Sequence, residues 1–140
     1  MGRRYFVSVL GGSTIDVARG CREFEYEFTR VPVGSEALGA THGSELPYVF
    51  GTLDRGIGSR GPPPRVTAVD TQVSEVMQQY WSNFAKTGNP NGDHLPAWPK
   101  FDESSRAYIR FTDAGPISKE SLRRPFCDLF IQNVKRLMGR

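Results

Sequence analysis

Gly39-Ala40-Thr41-His42-Gly43-Ser44-Glu45-Leu46-Pro47-Tyr48-Val49-Phe50-Gly51 puts a lone histidine on a loop of small residues directly after a segment that reads as a strand. Glycines on both sides of His42 let neighbouring backbone come close, so the imidazole need not be packed away. A histidine that titrates near neutrality can take up and return a proton, which is the chemistry of a general base. Such a base needs a nucleophile and, usually, a carboxylate to orient it. Ser44 is two residues away on a turning loop and lacks the strand-turn-helix setting of a nucleophile elbow. Ser13 and Ser59 fail the same pattern, and nothing puts Cys21 at a helix N-terminus. Glu45 is a carboxylate neighbour, better placed to buttress the loop than to complete a triad. The residues alone therefore give a base without its partners.

Working outward, Glu23-Phe24-Glu25-Tyr26-Glu27-Phe28-Thr29-Arg30-Val31 alternates with period two and is stopped by Pro32 and Gly34, which predicts a strand. Phe24, Tyr26 and Phe28 then share one face and Glu23, Glu25 and Glu27 the other, so at least one face needs an apolar cover. Tyr5 to Leu10 is also strand-like, while Gly11 to Thr14 could cap a helix over Ile15 to Arg19. Asp54 to Arg65, with three glycines and Pro62-Pro63-Pro64, reads as an exposed loop.

Downstream the period changes. Val69, Val73, Val76, Met77, Tyr80, Trp81 and Phe84 recur at helical spacing, Thr67 or Asp70 can cap the start, and Gly88 followed by Pro90 ends the helix. A stripe of this kind is core rather than a ligand box. Asn89 to Asp93 is a turn cluster, and in Leu95-Pro96-Ala97-Trp98-Pro99 the indole is expected to plug the surface of the core, with His94 facing solvent. Ala107 to Thr112 predicts a second short strand, closed by Asp113-Ala114-Gly115-Pro116. A last helix starts near Pro125, with Phe126, Cys127, Phe130, Val134, Leu137 and Met138 on one side.

The composition narrows the function classes. A hydrophobic share of 38% supports a real core, but 15 glycines and 10 prolines imply that loops take up much of the chain. The net charge of +3 comes from scattered arginines with no unbroken basic run or aromatic-interleaved motif, so the expectation is no nucleic-acid partner. Cys21 and Cys127 form no CxxC pair and no histidine stands at metal-ligand spacing, so no metal site and no cofactor are expected. The two cysteines could form a disulfide in a secreted protein; a buried free thiol is the plainer reading of Cys127, and two free cysteines are favoured. No apolar run approaches a membrane span, and the N-terminus lacks the order of residues of a signal peptide. The compartment stays open.

The quoted loop resembles the histidine loop of type-B carboxylesterases, the family that includes the cholinesterases, in which a G-A-x-H-G-x-E-L/I-P-Y/F-V-F-G run follows a strand. Tyr26-Glu27-Phe28 is similar to that preceding strand. Met77-Gln78-Gln79-Tyr80-Trp81-Ser82-Asn83-Phe84-Ala85-Lys86-Thr87-Gly88-Asn89-Pro90-Asn91-Gly92 resembles the family's M-x-x-Y-W-x-N-F-A-x-T-G-x-P-N signature, and Leu95 to Pro99 follows as the family has it. The likeness is specific over residues 23 to 112, looser around Cys127, and faint over 1 to 22. It implies an α/β-hydrolase fold of which residues 1–140 are a single partial domain from the C-terminal part, with a few strands of the central sheet, two main helices and long loops. It further implies that His42 is the triad base of a serine esterase acting on a small-molecule carboxylic ester, with Glu45 as a supporting group near the site. In the family the nucleophilic serine, the triad acid and the oxyanion hole lie earlier in the chain, so these residues alone are expected to be inactive. The alternative is a non-catalytic, cholinesterase-like interaction module of the kind some members became.

Overall fold

The computed structural model describes residues 6–11, 23–55, 65–122 and 124–137. The helix expected over 15–19, Cys21, Ser13, Ser59 and most of the proline-rich loop lie outside the described residues, as do Met138 and the side chains of Phe126 and Cys127.

Four strands form one sheet in the order β1 (Phe6–Gly11), β2 (Glu23–Phe28), β3 (Tyr108–Thr112) and β4 (Gly115–Lys119). β2 and β3 run parallel, with Tyr26 opposite Ile109 and Phe28 opposite Phe111, while β1 and β4 flank them antiparallel. A parallel pair needs a long crossover, and here it contains the short helix α1 (Leu46–Phe50) and the long helix α2 (Ala68–Thr87). The histidine loop is therefore the first part of the connection leaving β2.

The register puts Phe24, Tyr26 and Phe28 on the same face as Ile109 and Phe111, and that face carries the core. α2 lays Val73, Met77 and Tyr80 against it at helical spacing, all buried. Its start is a full capping box, with the Thr67 side chain accepting from the Asp70 N–H and the Asp70 side chain accepting from the Thr67 N–H. Its end is Gly88 in the left-handed region. Both Thr67 and Asp70 thus take part in the cap, which the sequence left as alternatives.

Trp98 is 1% exposed, at the centre of the core rather than at its surface. Its ring stands edge-on to Tyr80 at 5.4 Å and Phe111 at 5.7 Å, its indole N–H donates to the Glu25 carbonyl at 2.9 Å, and Asn91 binds both its backbone N–H and its carbonyl. A short loop asparagine thus acts as a substitute strand partner that draws the proline-bracketed segment inward.

Three further features were not read from the sequence. The acidic face of β2 is covered as well, since Glu23 and Glu27 are buried and Glu27 pairs with Arg110 opposite it on β3. That cross-strand partner removes the cost of an isolated buried carboxylate. Asp113 and Ala114 do not end the sheet but turn it into the hairpin of β3 and β4, with Gly115 at φ +110° and Pro116 tolerated on an edge strand. Finally, α3 (Arg124–Leu137) leaves Leu129, Phe130 and Leu137 exposed. α2 and Trp98 already fill the apolar face of the sheet, and α3 is held to the body by an Arg106–Asp128 ion pair at 3.0 Å.

Candidate functional site

The His42 loop is a chain of tight turns. Gly39 at φ +69° follows a turn in which the Leu38 and Gly39 N–H groups both donate to the Ser35 carbonyl, and Ala40 then tucks into the core at 2% exposure. The Ser44 N–H donates to the Thr41 carbonyl at 3.1 Å, which puts His42 and Gly43 at the two corners of a turn. Gly43 has φ +81°, the left-handed value required at the second corner of a type II turn, where glycine is the default residue. His42 at the first corner is consequently exposed, while the backbone beneath it is fixed. The Ser44 hydroxyl donates to the Thr41 carbonyl at 2.7 Å, so it serves the turn.

Glu45 follows as the residue at the N-terminus of α1 and is 4% exposed. Tyr26 of β2 donates to its Oε1 at a long 3.5 Å, and Oε2 has no hydrogen-bond partner among the described residues. Burial pushes the Glu45 carboxyl above its ordinary pKa, with its own backbone N–H, the nearby His42 charge and the Tyr26 hydroxyl pulling the other way. His42 and Glu45 are thus within electrostatic reach, one exposed and one buried, on a single turn.

What holds this turn in place is a polar cluster that local sequence patterns do not reveal. α1 points Tyr48 inward, its ring 4.9 Å from Phe28 of β2 and its hydroxyl donating to Asp70 Oδ1 at 2.7 Å. Asp70 also accepts from Arg30 Nε at 2.7 Å, from Arg30 Nη2 at 3.0 Å, and from the Thr67 N–H at 2.8 Å. Ser74 of α2 donates to the Tyr48 carbonyl at 2.7 Å. Burial alone would raise the pKa of Asp70, but the bonds from Arg30, Thr67 and Tyr48 outweigh it and hold the carboxyl well below its usual range. The same bond to Asp70 raises that of Arg30, and burial first, then Asp70, raises that of the Tyr48 hydroxyl. The end of β2, the start of α2 and the helix behind His42 therefore meet at one bidentate ion pair. The signals available in the sequence were an arginine just past a strand and an acid at the third position of a helix.

At the end of α1, Gly51 adopts φ +64°, and a methyl group there would stand 3.1 Å from the Gln78 amide. His94 lies in the loop beyond the opposite end of α2, exposed and at φ +65°. The 20 residues of α2 span about 30 Å. The structure thus joins His42 to Glu45 and leaves His94 in a different loop. Among the described residues no group of three His, Cys, Asp or Glu side chains is arranged to hold a metal ion, and no helix is long and apolar enough to cross a membrane.

Comparison with known proteins bears on this geometry. The model of the carboxylesterase family matches residues 13–130, a wider span than the quoted motifs. Phenmedipham hydrolase of Pseudarthrobacter oxydans is 38% identical over 71% of this chain and 20% of its own length. A medium-chain fatty acyl-CoA hydrolase precursor of Anas platyrhynchos is 33% identical over 91% of this chain and 23% of its own. Among solved structures, a PNB esterase superposes with TM-score 0.60 at 29% identity over 74% of this chain and 20% of that one. A carboxylesterase of Geobacillus stearothermophilus gives TM-score 0.56 at 31% identity, over 74% of this chain and 21% of that one. The chain spans about a fifth of the length of these relatives. The parallel β2–β3 pair joined through helices is accordingly a portion of an α/β-hydrolase fold.

Proposed function

The chain belongs to the carboxylesterase family, and from that premise we propose that it is the C-terminal part of a serine carboxylic-ester hydrolase whose general base is His42. Residues 1–140 would make up one partial domain, and the nucleophilic serine, the triad acid and the oxyanion hole would come from the larger remainder of such an enzyme. His42 would take the serine proton as the hydroxyl attacks the ester carbonyl and return it to the departing alcohol, while Glu45 supports the turn from below. The observation that carries this reading is the contrast at the loop: His42 is exposed at a turn corner, while Glu45 and Tyr48 just after it are buried, Glu45 against Tyr26 and Tyr48 bonded to the buried Asp70. That is how a base must be held if its partner arrives from another part of the molecule.

The test is complementation. The purified chain alone is expected to hydrolyse p-nitrophenyl butyrate no faster than background. Co-expressed with the part of a PNB esterase that it does not match, it should restore hydrolysis, and His42→Ala should abolish the restored activity. Robust turnover by the chain alone, or restored turnover indifferent to His42→Ala, would overturn the proposal. Assembly without hydrolysis would favour the non-catalytic module.

A further inference from the structure

Helix α1 is apolar all round. Its sequence is Leu46-Pro47-Tyr48-Val49-Phe50, and Tyr48 and Val49 are buried on the side facing α2 and β2. On the other side Leu46 is 38% exposed and Phe50 70%, one helical turn apart and therefore neighbours on one face. Leu38, on the turn leading into the loop, is 67% exposed. A helix with apolar side chains on every face is an interior element, because no polar side remains to meet water. From Thr41 to Thr52 the acidic and basic side chains are His42 and Glu45, and the phenol of Tyr48 is buried, so the outward face of α1 itself carries no charged side chain. Glu45 lies at the base of this helix with Oε2 buried and lacking a partner among the described residues.

We propose that the outward face of α1, Leu46 and Phe50, is the surface on which the serine-bearing part of the hydrolase docks, an inference that rests on the reading of His42 as a base. Continuity argues for this occupant. His42 and Gly43 form the turn that leads directly into α1, and a methyl group built on Gly43 would stand 3.7 Å from Leu46 Cδ1, so a partner that brings a hydroxyl within hydrogen-bond reach of His42 comes close to this face. The relatives hold about four fifths of their length outside the matched region, enough to supply such a cover. The exposed face of α3 is less suited, because the ion pair that holds it runs to Arg106, just before β3, and not to the His42 loop.

The test uses the complete 140-residue chain, tagged and co-expressed with the unmatched part of the PNB esterase, and reads co-purification and hydrolysis separately. Phe50→Asp is expected to reduce co-purification about tenfold or more, the size of effect expected where a buried apolar anchor is replaced by a charge. Because Phe50 is exposed in the chain, the variant should retain the far-ultraviolet circular dichroism of the parent. Phe130→Asp on α3 should leave co-purification unchanged. Undiminished co-purification of Phe50→Asp, or a loss caused equally by Phe130→Asp, would overturn the docking surface. So would self-association of the chain alone, abolished by Phe50→Asp, since the occupant would then be a second copy. The two proposals fail differently: His42→Ala should co-purify normally without hydrolysis, whereas hydrolysis restored despite Phe50→Asp would refute only the docking face.

Discussion

Replacing Asp70 with asparagine should be among the most damaging single changes in this chain. The carboxylate is 2% exposed and accepts from Arg30 through two nitrogens, from Tyr48, and from both the backbone and the side chain of Thr67. An asparagine amide must aim its NH2 at one of these donor groups, and Arg30, itself 7% exposed, would keep the Thr67 hydroxyl at 3.3 Å and, as its carboxylate partner among the described residues, the exposed Asp113 at 3.2 Å. Breaking a buried ion pair from one side costs about 3–5 kcal/mol, and the weakened helix cap adds about 1 kcal/mol. A domain of this size is stable by about 5–15 kcal/mol. With a denaturant slope of about 2 kcal/mol per molar urea, the midpoint should fall by about 2–3 M.

The pH dependence carries the same argument by a second route. Because the folded-state pKa of Asp70 lies below its ordinary 3.8, its contribution is fully present above that pH and is lost as pH falls through the acid range. Asp70→Asn should therefore flatten the loss of stability below about pH 4. Urea unfolding followed by circular dichroism from pH 6 to 3 measures both effects. The control is Asp113→Asn: Asp113 is 64% exposed, and a surface pair of this kind is worth about 0–1 kcal/mol. A midpoint for Asp70→Asn within the error of that control would refute the view that this cluster holds α1 in place.

Two smaller predictions follow from the same packing. Glu45 titrates above its ordinary value, so its neutral form is favoured by folding and stability should decline as pH rises above about 4.5 through the folded-state pKa; Glu45→Gln should remove that part of the decline. Midpoints at pH 5 and pH 8 for the two proteins test this, and identical slopes would contradict it. Asn91→Ala removes both bonds to the Trp98 backbone and strands a buried N–H, at a cost of about 2–4 kcal/mol, with a red shift of tryptophan emission as the segment loosens. An unshifted spectrum would mean that ring packing alone holds Trp98.

Much of the scaffold was legible because it is written in local periods. Phe24, Tyr26 and Phe28 announce β2 by alternation, and Thr67, Asp70 and Gly88 mark the ends of α2 by capping chemistry that acts within a turn of helix. α1 was not legible, since five residues opening on Leu-Pro carry too little period to separate a helix from a turn. β4 was missed because Asp113-Ala114-Gly115-Pro116 has the composition of a stop, and only the strand beyond it makes it a hairpin. The Arg30–Asp70–Tyr48 cluster joins residues 40 and 22 positions apart, and no local window contains it. At the site, the turn around His42 could be read from its glycines, whereas the burial of Glu45 depends on Tyr26 and the neighbouring strands.

The residues that make the chain recognisable are therefore mostly not those that would do chemistry. In the stretch from Met77 to Trp98, Tyr80 donates to the Pro96 carbonyl, Asn83 to the Pro90 carbonyl, and Asn91 pins Trp98, so the signature encodes how a loop is folded back onto a helix and a sheet. A signature of that kind survives whenever the core survives, with or without activity. His42 is the opposite case, exposed on a turn, so its loss should leave the fold intact. Asp70 lies between the two: with His42 unchanged, Asp70→Asn should lose complementation by releasing the helix behind the histidine. Comparing the two variants separates the group proposed to transfer the proton from a group that holds it in position.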